Sequence, residues 1–118
     1  MAYIHKWLAD PSYAPSTAAA LIDNGANKRS MPRCIIMHNT HTAALEIELY
    51  AVPASGGALG AASAANRFLK KSIPAGDTLI FEAPGQGLVL DAEHDSIQYY
   101  CATPSKIVTM AFGGEEDT

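Results

Sequence analysis

Apolar positions along this chain recur at every second residue, in short runs cut by glycine, proline and small polar residues. The plainest run is Leu45-Glu46-Ile47-Glu48-Leu49-Tyr50. Leu45, Ile47 and Leu49 fall on one side and Glu46, Glu48 and Tyr50 on the other, which predicts a half-buried strand with a wet outer face. Just before it, Cys34-Ile35-Ile36-Met37 is continuously apolar, as expected of a strand covered on both faces. Between them His38-Asn39-Thr40-His41-Thr42 is polar, and Asn39 and Thr40 stabilise turns through side-chain bonds to the backbone. The two runs therefore read as a central antiparallel hairpin over residues 31–53. Val52-Pro53 closes it, because proline cannot donate to a sheet ladder.

The rest of the chain repeats this rhythm. Residues 3–8 alternate weakly and carry Tyr3, Ile4, Trp7 and Leu8, and Pro11 and Pro15 make the next stretch an extended connector. Residues 18–22 are a short apolar run that ends in the turn Asp23-Asn24-Gly25, and residues 26–33 are polar. After the hairpin, Ala54-Ser55-Gly56-Gly57 is a loop, and Gly60 with the lack of large apolar anchors limits residues 58–66 to one helical turn. Strands are expected at 68–73, 78–82, 88–90, 97–101 and 107–112. The turns between them include Pro74-Ala75-Gly76-Asp77, with proline taken as the second and glycine as the fourth turn position, Ala83-Pro84-Gly85-Gln86-Gly87, and Thr103-Pro104-Ser105. Seven or eight short strands with frequent turns predict an all-β antiparallel sandwich, and jelly-roll and immunoglobulin-like topologies both fit. The only tryptophan is Trp7, so the Cys-Trp-Cys spacing of antibody domains is absent. The chain divides into an N-terminal arm and connector (1–17), the sandwich (18–112) and an acidic tail (113–118) that its two glycines and three carboxylates make mobile.

Composition narrows the function classes. A chain of 118 residues with 48% apolar and 17% charged residues is one folded domain with a real core. A net charge of -4 supplies no basic footprint, which argues against nucleic acid as the main ligand. Lys28, Arg29 and Arg33, and Arg67, Lys70 and Lys71, read as dispersed solvated charge. No apolar run approaches the roughly 20 residues that cross a bilayer, and the N-terminal sequence lacks a signal-peptide pattern. A cytoplasmic site of synthesis follows, where Cys34 and Cys101 are expected as free, buried thiols. A bridge between facing sheets is the alternative.

Candidate chemistry is sparse. His38, His41, Glu46 and His94 invite comparison with cupin-type metal sites, but a His-x-x-His spacing sends two rings to opposite faces of a strand, and His94 is far downstream of Pro84-Gly85-Gln86-Gly87. An apolar strand raises the pKa of Cys34 and Cys101 rather than activating them. Glu46 and Glu48 read as a solvated face. Trp7, Tyr13, Tyr99 and Tyr100 suit either a sugar-stacking platform or a protein contact. No catalytic residue, metal ligand or cofactor is expected.

Ile35-Ile36-Met37-His38-Asn39-Thr40, the run from Leu45 through Pro53, Ala65-Asn66-Arg67 and Ile73-Pro74-Ala75-Gly76-Asp77-Thr78-Leu79 resemble small β-sandwich virion proteins of tailed bacteriophages. Those proteins serve as capsid decoration (cement) proteins or as neck and tail accessories. The resemblance covers roughly residues 18–112. It implies a non-enzymatic structural role, no cofactor, location in a virion made in the host cytoplasm, and partners that are other copies of the chain or phage capsid or tail proteins. The alternatives are a carbohydrate-binding sandwich and, more remotely, a cupin-like metalloprotein. Tyr3, Ile4, Trp7, Leu8 and Tyr13, in the part the resemblance does not reach, are the expected contact residues. The arm either covers an edge of its own sandwich or reaches a neighbouring subunit, and the neighbour is the favoured expectation.

Overall fold

The computed structural model of the protein describes residues 3–83 and 87–118, Tyr3 through its backbone alone. Eight strands are formed among the described residues: β1 (Tyr3–Tyr13), β2 (Ala19–Asp23), β3 (Lys28–Asn39), β4 (Leu45–Val52), β5 (Arg67–Ile73), β6 (Thr78–Glu82), β7 (Ser96–Tyr100) and β8 (Ile107–Asp117). They make two four-stranded antiparallel sheets, a first in the order β1-β8-β3-β6 and a second in the order β2-β7-β4-β5. Strand pairs 1 with 8, 2 with 7, 3 with 6 and 4 with 5 are those of one long hairpin rolled over a core. Of the two topologies left open by the sequence, this is the jelly roll.

The core lies between the sheets. Ile35, Met37, Ala111 and Ile107 of the first sheet meet Ile47, Leu49, Ile97 and Tyr99 of the second, all buried. Ile47 and Leu49 are fully buried while Glu46 is exposed, so the period-two reading of β4 holds over 45–49; Tyr50, expected on the wet face, is buried. The expected hairpin does not. β3 belongs to the first sheet and β4 to the second, and the loop between them crosses from layer to layer. Buried Asn39 holds this corner: its amide donates to the carbonyls of Ala43 (3.0 Å) and Ile73 (2.8 Å), and its carbonyl oxygen accepts the His41 N–H (2.8 Å). The Asn39 backbone is engaged as well, its N–H donating to the Asp77 carbonyl (2.9 Å) and its carbonyl accepting the Gly76 N–H (3.0 Å), so it does not close a hairpin turn with β4.

Both termini also differ from expectation. The arm is an edge strand of its own sandwich, since β1 pairs with β8 from Tyr3↔Glu116 to Tyr13↔Val108, interrupted by bulges around Ala9. The acidic tail is a strand too: residues 113–117 continue β8, with β1 on one side and β3 on the other. Glycine is required there, because a Cβ at Gly113 would collide with the Met31 carbonyl oxygen and the Leu8 side chain. The tail carboxylates face cations: Glu116 accepts from Arg29 (2.9 Å), Glu115 from Lys6 (3.4 Å), and Asp117 from Lys28. Lys28 and Arg29 are therefore cross-strand partners of the tail rather than dispersed charges.

Loops account for the remaining differences. Residues 58–66 form no helix. The turn after β5 is the expected Pro74-Ala75-Gly76-Asp77, closed by Asp77 N–H to the Pro74 carbonyl (3.1 Å), but proline is its first position rather than its second and Gly76 its third rather than its fourth, at φ +72°. That is the position where positive φ demands glycine. Residues 88–90 contribute one bridge, Ser30↔Leu90, rather than a strand. Residues 84–86, where a turn was expected, lie outside the described residues.

Two polar groups near the core give tests of this packing. Thr109 is fully buried, and its hydroxyl is the one buried side-chain polar atom without a partner among the described residues. Thr109→Val removes an unpaired hydroxyl at nearly constant volume and should stabilise the fold by about 1 kcal/mol, read as a rise in melting temperature. Asp95 accepts backbone N–H bonds from Ala54, Ala92 and Asp91. Burial works against its charge, but these three donors together outweigh burial and hold its carboxyl below the usual aspartate value. A depressed folded pKa gives stability that is complete above the unfolded value and lost as pH falls through the folded one. Asp95→Asn should therefore lower the melting temperature at neutral pH and flatten its decline below about pH 4. An unchanged acid limb would contradict that role for Asp95.

Candidate functional site

Cross-strand register places the outward residues of the first sheet in three rows. Trp7, Phe112, Cys34 and Glu82 form one row across β1, β8, β3 and β6. Met110, Ile36 and Ile80 form the next, and Tyr13, Val108, His38 and Thr78 the third. Eight of these eleven side chains are apolar, aromatic or thiol. Trp7 is 47% exposed, Tyr13 53% and Ile80 52%, while Cys34, Ile36, Val108, Met110 and Phe112 are half-buried by one another. A sheet in a solvated sandwich alternates apolar inside with polar outside. This sheet is apolar on both sides.

At the β1 end the face deepens into an open groove of about 370 Å³ lined by His5, Lys6, Trp7, Arg33, Phe112 and Gly113. Trp7 and Phe112 stack in a tilted pair with ring centroids 4.5 Å apart. Arg33 is the residue skipped by the β3–β8 ladder between Pro32 and Cys34, and the bulge leaves its side chain exposed. Cys34 is a free thiol in the same row; burial, with the Glu82 carboxylate beside it, pushes its pKa up. A thiol so placed stays protonated, as its apolar setting predicts. Cys101 is free and buried.

The expected contact residues divide. Trp7 and Tyr13 lie on the outer face, and Ile4 is 57% exposed on the same edge strand. Leu8 instead packs against the core, which corrects its assignment as a contact residue. The Tyr3 side chain lies outside the described residues. Phe112, Met110, Ile36 and Ile80 are part of the face and were missed, because continuous apolar runs were read as strands covered by their own chain.

The histidines are not brought together. His38 shares a hydrogen bond with Thr78 Oγ1 (2.8 Å) on the outer face, while His94 sits at the opposite sheet's loops against Asp23 (3.0 Å). Among the described residues no three histidine, cysteine, aspartate or glutamate side chains converge as metal ligands do. Glu48 of the second sheet accepts from Tyr50 and Arg67 (3.1 Å). The Tyr50 bond and the Arg67 guanidinium outweigh burial and hold its carboxyl below the usual range, so it forms a structural cluster. The aromatic platform does not assemble either: Tyr99 is buried and bonded to Ser12 (2.9 Å), and Tyr100 belongs to the second sheet. No known protein family, curated protein or solved structure matches the chain.

Proposed function

We propose that this protein is a non-enzymatic structural component of a tailed-phage virion, in the first place a decoration protein that adds contacts on the capsid surface. The observation that carries the reading is the apolar outer face of the first sheet. Trp7, Tyr13 and Ile80 are each about half exposed there, on strands β1 and β6 at the two edges of the sheet. Continuous apolar surface rimmed by charge is the mark of a contact surface, and aromatic side chains make the strongest anchors in such contacts. The jelly roll supports the reading without deciding it, since capsid proteins, lectins and cupins all use it. Its partners are then phage structural proteins and further copies of the chain.

The test is to grow virions from the genome that encodes the chain, separate heads from tails, and detect the protein in each fraction. Recovery with heads supports decoration. Recovery with tails alone replaces it by the accessory role, and a protein absent from particles but retained on a glycan panel overturns the virion reading.

A further inference from the structure

The groove beside Trp7 is lined by three basic side chains and by no acidic one. His5, Lys6 and Trp7 come from β1, Phe112 and Gly113 from β8, and Arg33 from the bulge in β3. The whole chain has twelve acidic residues against eight lysines and arginines, so this local excess of cations runs against its composition. Lys6 reaches Glu115 at 3.4 Å, an exposed pair of little strength. Arg33 makes no ion pair among the described residues; Glu82, which stands on β6 opposite its neighbour Cys34, makes none either. The other two arginines are satisfied within the chain, Arg29 by Asp91 and Glu116 and Arg67 by Glu48.

We propose that the groove receives an acidic segment of the partner protein, which sets a carboxylate on Arg33 and an apolar side chain on the Trp7–Phe112 pair. The inference rests on reading this face as an assembly surface, and adds the chemistry of what covers it. A partner laid over the face takes Arg33 out of water together with its apolar neighbours. A guanidinium covered without an anion is strongly unfavourable, whereas one that meets a carboxylate makes a charge-assisted, bidentate contact. Beside it the tilted rings of Trp7 and Phe112, with centroids 4.5 Å apart, present an apolar surface for an aliphatic or aromatic side chain. At about 370 Å³ the open groove takes a few side chains of such a segment. An acidic saccharide would satisfy the same cations and could stack on Trp7. It would leave bare the next row of the face, where Met110, Ile36 and Ile80 give a sugar no hydrogen bond. A polypeptide covers both, and this continuity of groove and apolar row assigns the site to a protein.

Trp7 is the only tryptophan, so its fluorescence reads the groove directly. The full-length protein is titrated with a short peptide in which glutamate and phenylalanine stand two residues apart and so share a face when extended. The same peptide with lysine for glutamate, and polygalacturonate, are titrated alongside. The glutamate peptide should shift the Trp7 emission to the blue and saturate, and the other two should not. Arg33→Glu should weaken that binding about tenfold or more. Lys71→Glu, the same reversal on the second sheet, should leave it unchanged. Both positions are exposed and without an ion pair among the described residues, so both variants should keep the wild-type melting temperature. The acidic segment is overturned by the absence of a saturable shift with the glutamate peptide, or by an equal shift with the lysine peptide. A shift with polygalacturonate alone, or an Arg33→Glu variant that binds as tightly as the wild type, overturns it too. The titration needs no particle. A chain that binds the glutamate peptide but is absent from virions loses the virion reading and keeps the groove, and one found in heads that ignores the peptide does the reverse.

Discussion

Deleting residues 1–13 should leave a chain that does not fold to a soluble monomer. The deletion removes β1, whose pairing covers one whole side of β8. It exposes the backbone donors and acceptors of a strand that also carries the core residue Ala111 and the buried Thr109. Leu8 and Ala9 are partly buried against the core, and losing Leu8 alone forfeits about 1 kcal/mol or more of burial. Against a total stability on the order of 5–15 kcal/mol, this loss with that of the ladder is sufficient to unfold the domain. Circular dichroism and a thermal melt of the truncated chain check it. A cooperative melt near the wild-type temperature would show that β1 is dispensable and restore the arm as an element given to a neighbour.

The reason this strand was misjudged is general to the fold. In a jelly roll the partner of β1 is β8, the far end of the chain, and no local pattern announces that pairing. The strands themselves were legible, because a half-buried strand alternates: β4, β5, β6 and β7 stand close to their expected places. The β3–β4 connection failed for the same reason as the arm. A polar stretch containing Asn39 looks alike whether the chain turns back within a sheet or crosses to the other. Gly113-Gly114 with three carboxylates read as a mobile tail by composition. Its meaning is steric and electrostatic, since Gly113 lets β8 pass between Met31 and Leu8 and the carboxylates meet cations on β1 and β3.

The apolar outer face was half legible. Trp7 and Tyr13 stood out because large aromatics in a short arm have no core to enter. Ile36, Ile80, Met110 and Phe112 did not, because a strand apolar on both sides gives the same sequence whether its second face is covered by its own chain or by another molecule. The available signal was their concurrence in three strands. Once β3, β6 and β8 are known to share a sheet, their surplus apolar positions coincide on one surface.

Ile47→Asp should abolish soluble folding, whereas Glu46→Lys, its neighbour, should change stability by less than about 0.5 kcal/mol. Ile47 is wholly inaccessible, within the apolar cluster between the sheets. A carboxyl group there is either an unpaired charge or a neutral group stripped of water, and the cost rivals the stability of the whole domain. Glu46 is exposed, and its contact with Lys70 at 3.8 Å is an exposed pair of little consequence. Glu48 is not a neutral reference, because Glu48→Lys would set an ammonium against Arg67 and remove the acceptor of the Tyr50 hydroxyl. Expression and melting of the two variants decide the matter. If they behave alike, the register of β4 is wrong.

The central claim, that the outer face of the β1-β8-β3-β6 sheet is the surface through which this protein assembles, is tested most directly by hydroxyl-radical labelling. The dilute free chain and the chain in intact particles are labelled in parallel and compared by residue. Trp7, Tyr13, Met110 and Phe112 should react freely in dilute solution and be strongly protected in particles, with Tyr100 on the second sheet unchanged. Equal labelling of Trp7 and Tyr13 in both states, with protection confined to Tyr100 and its neighbours, would contradict it.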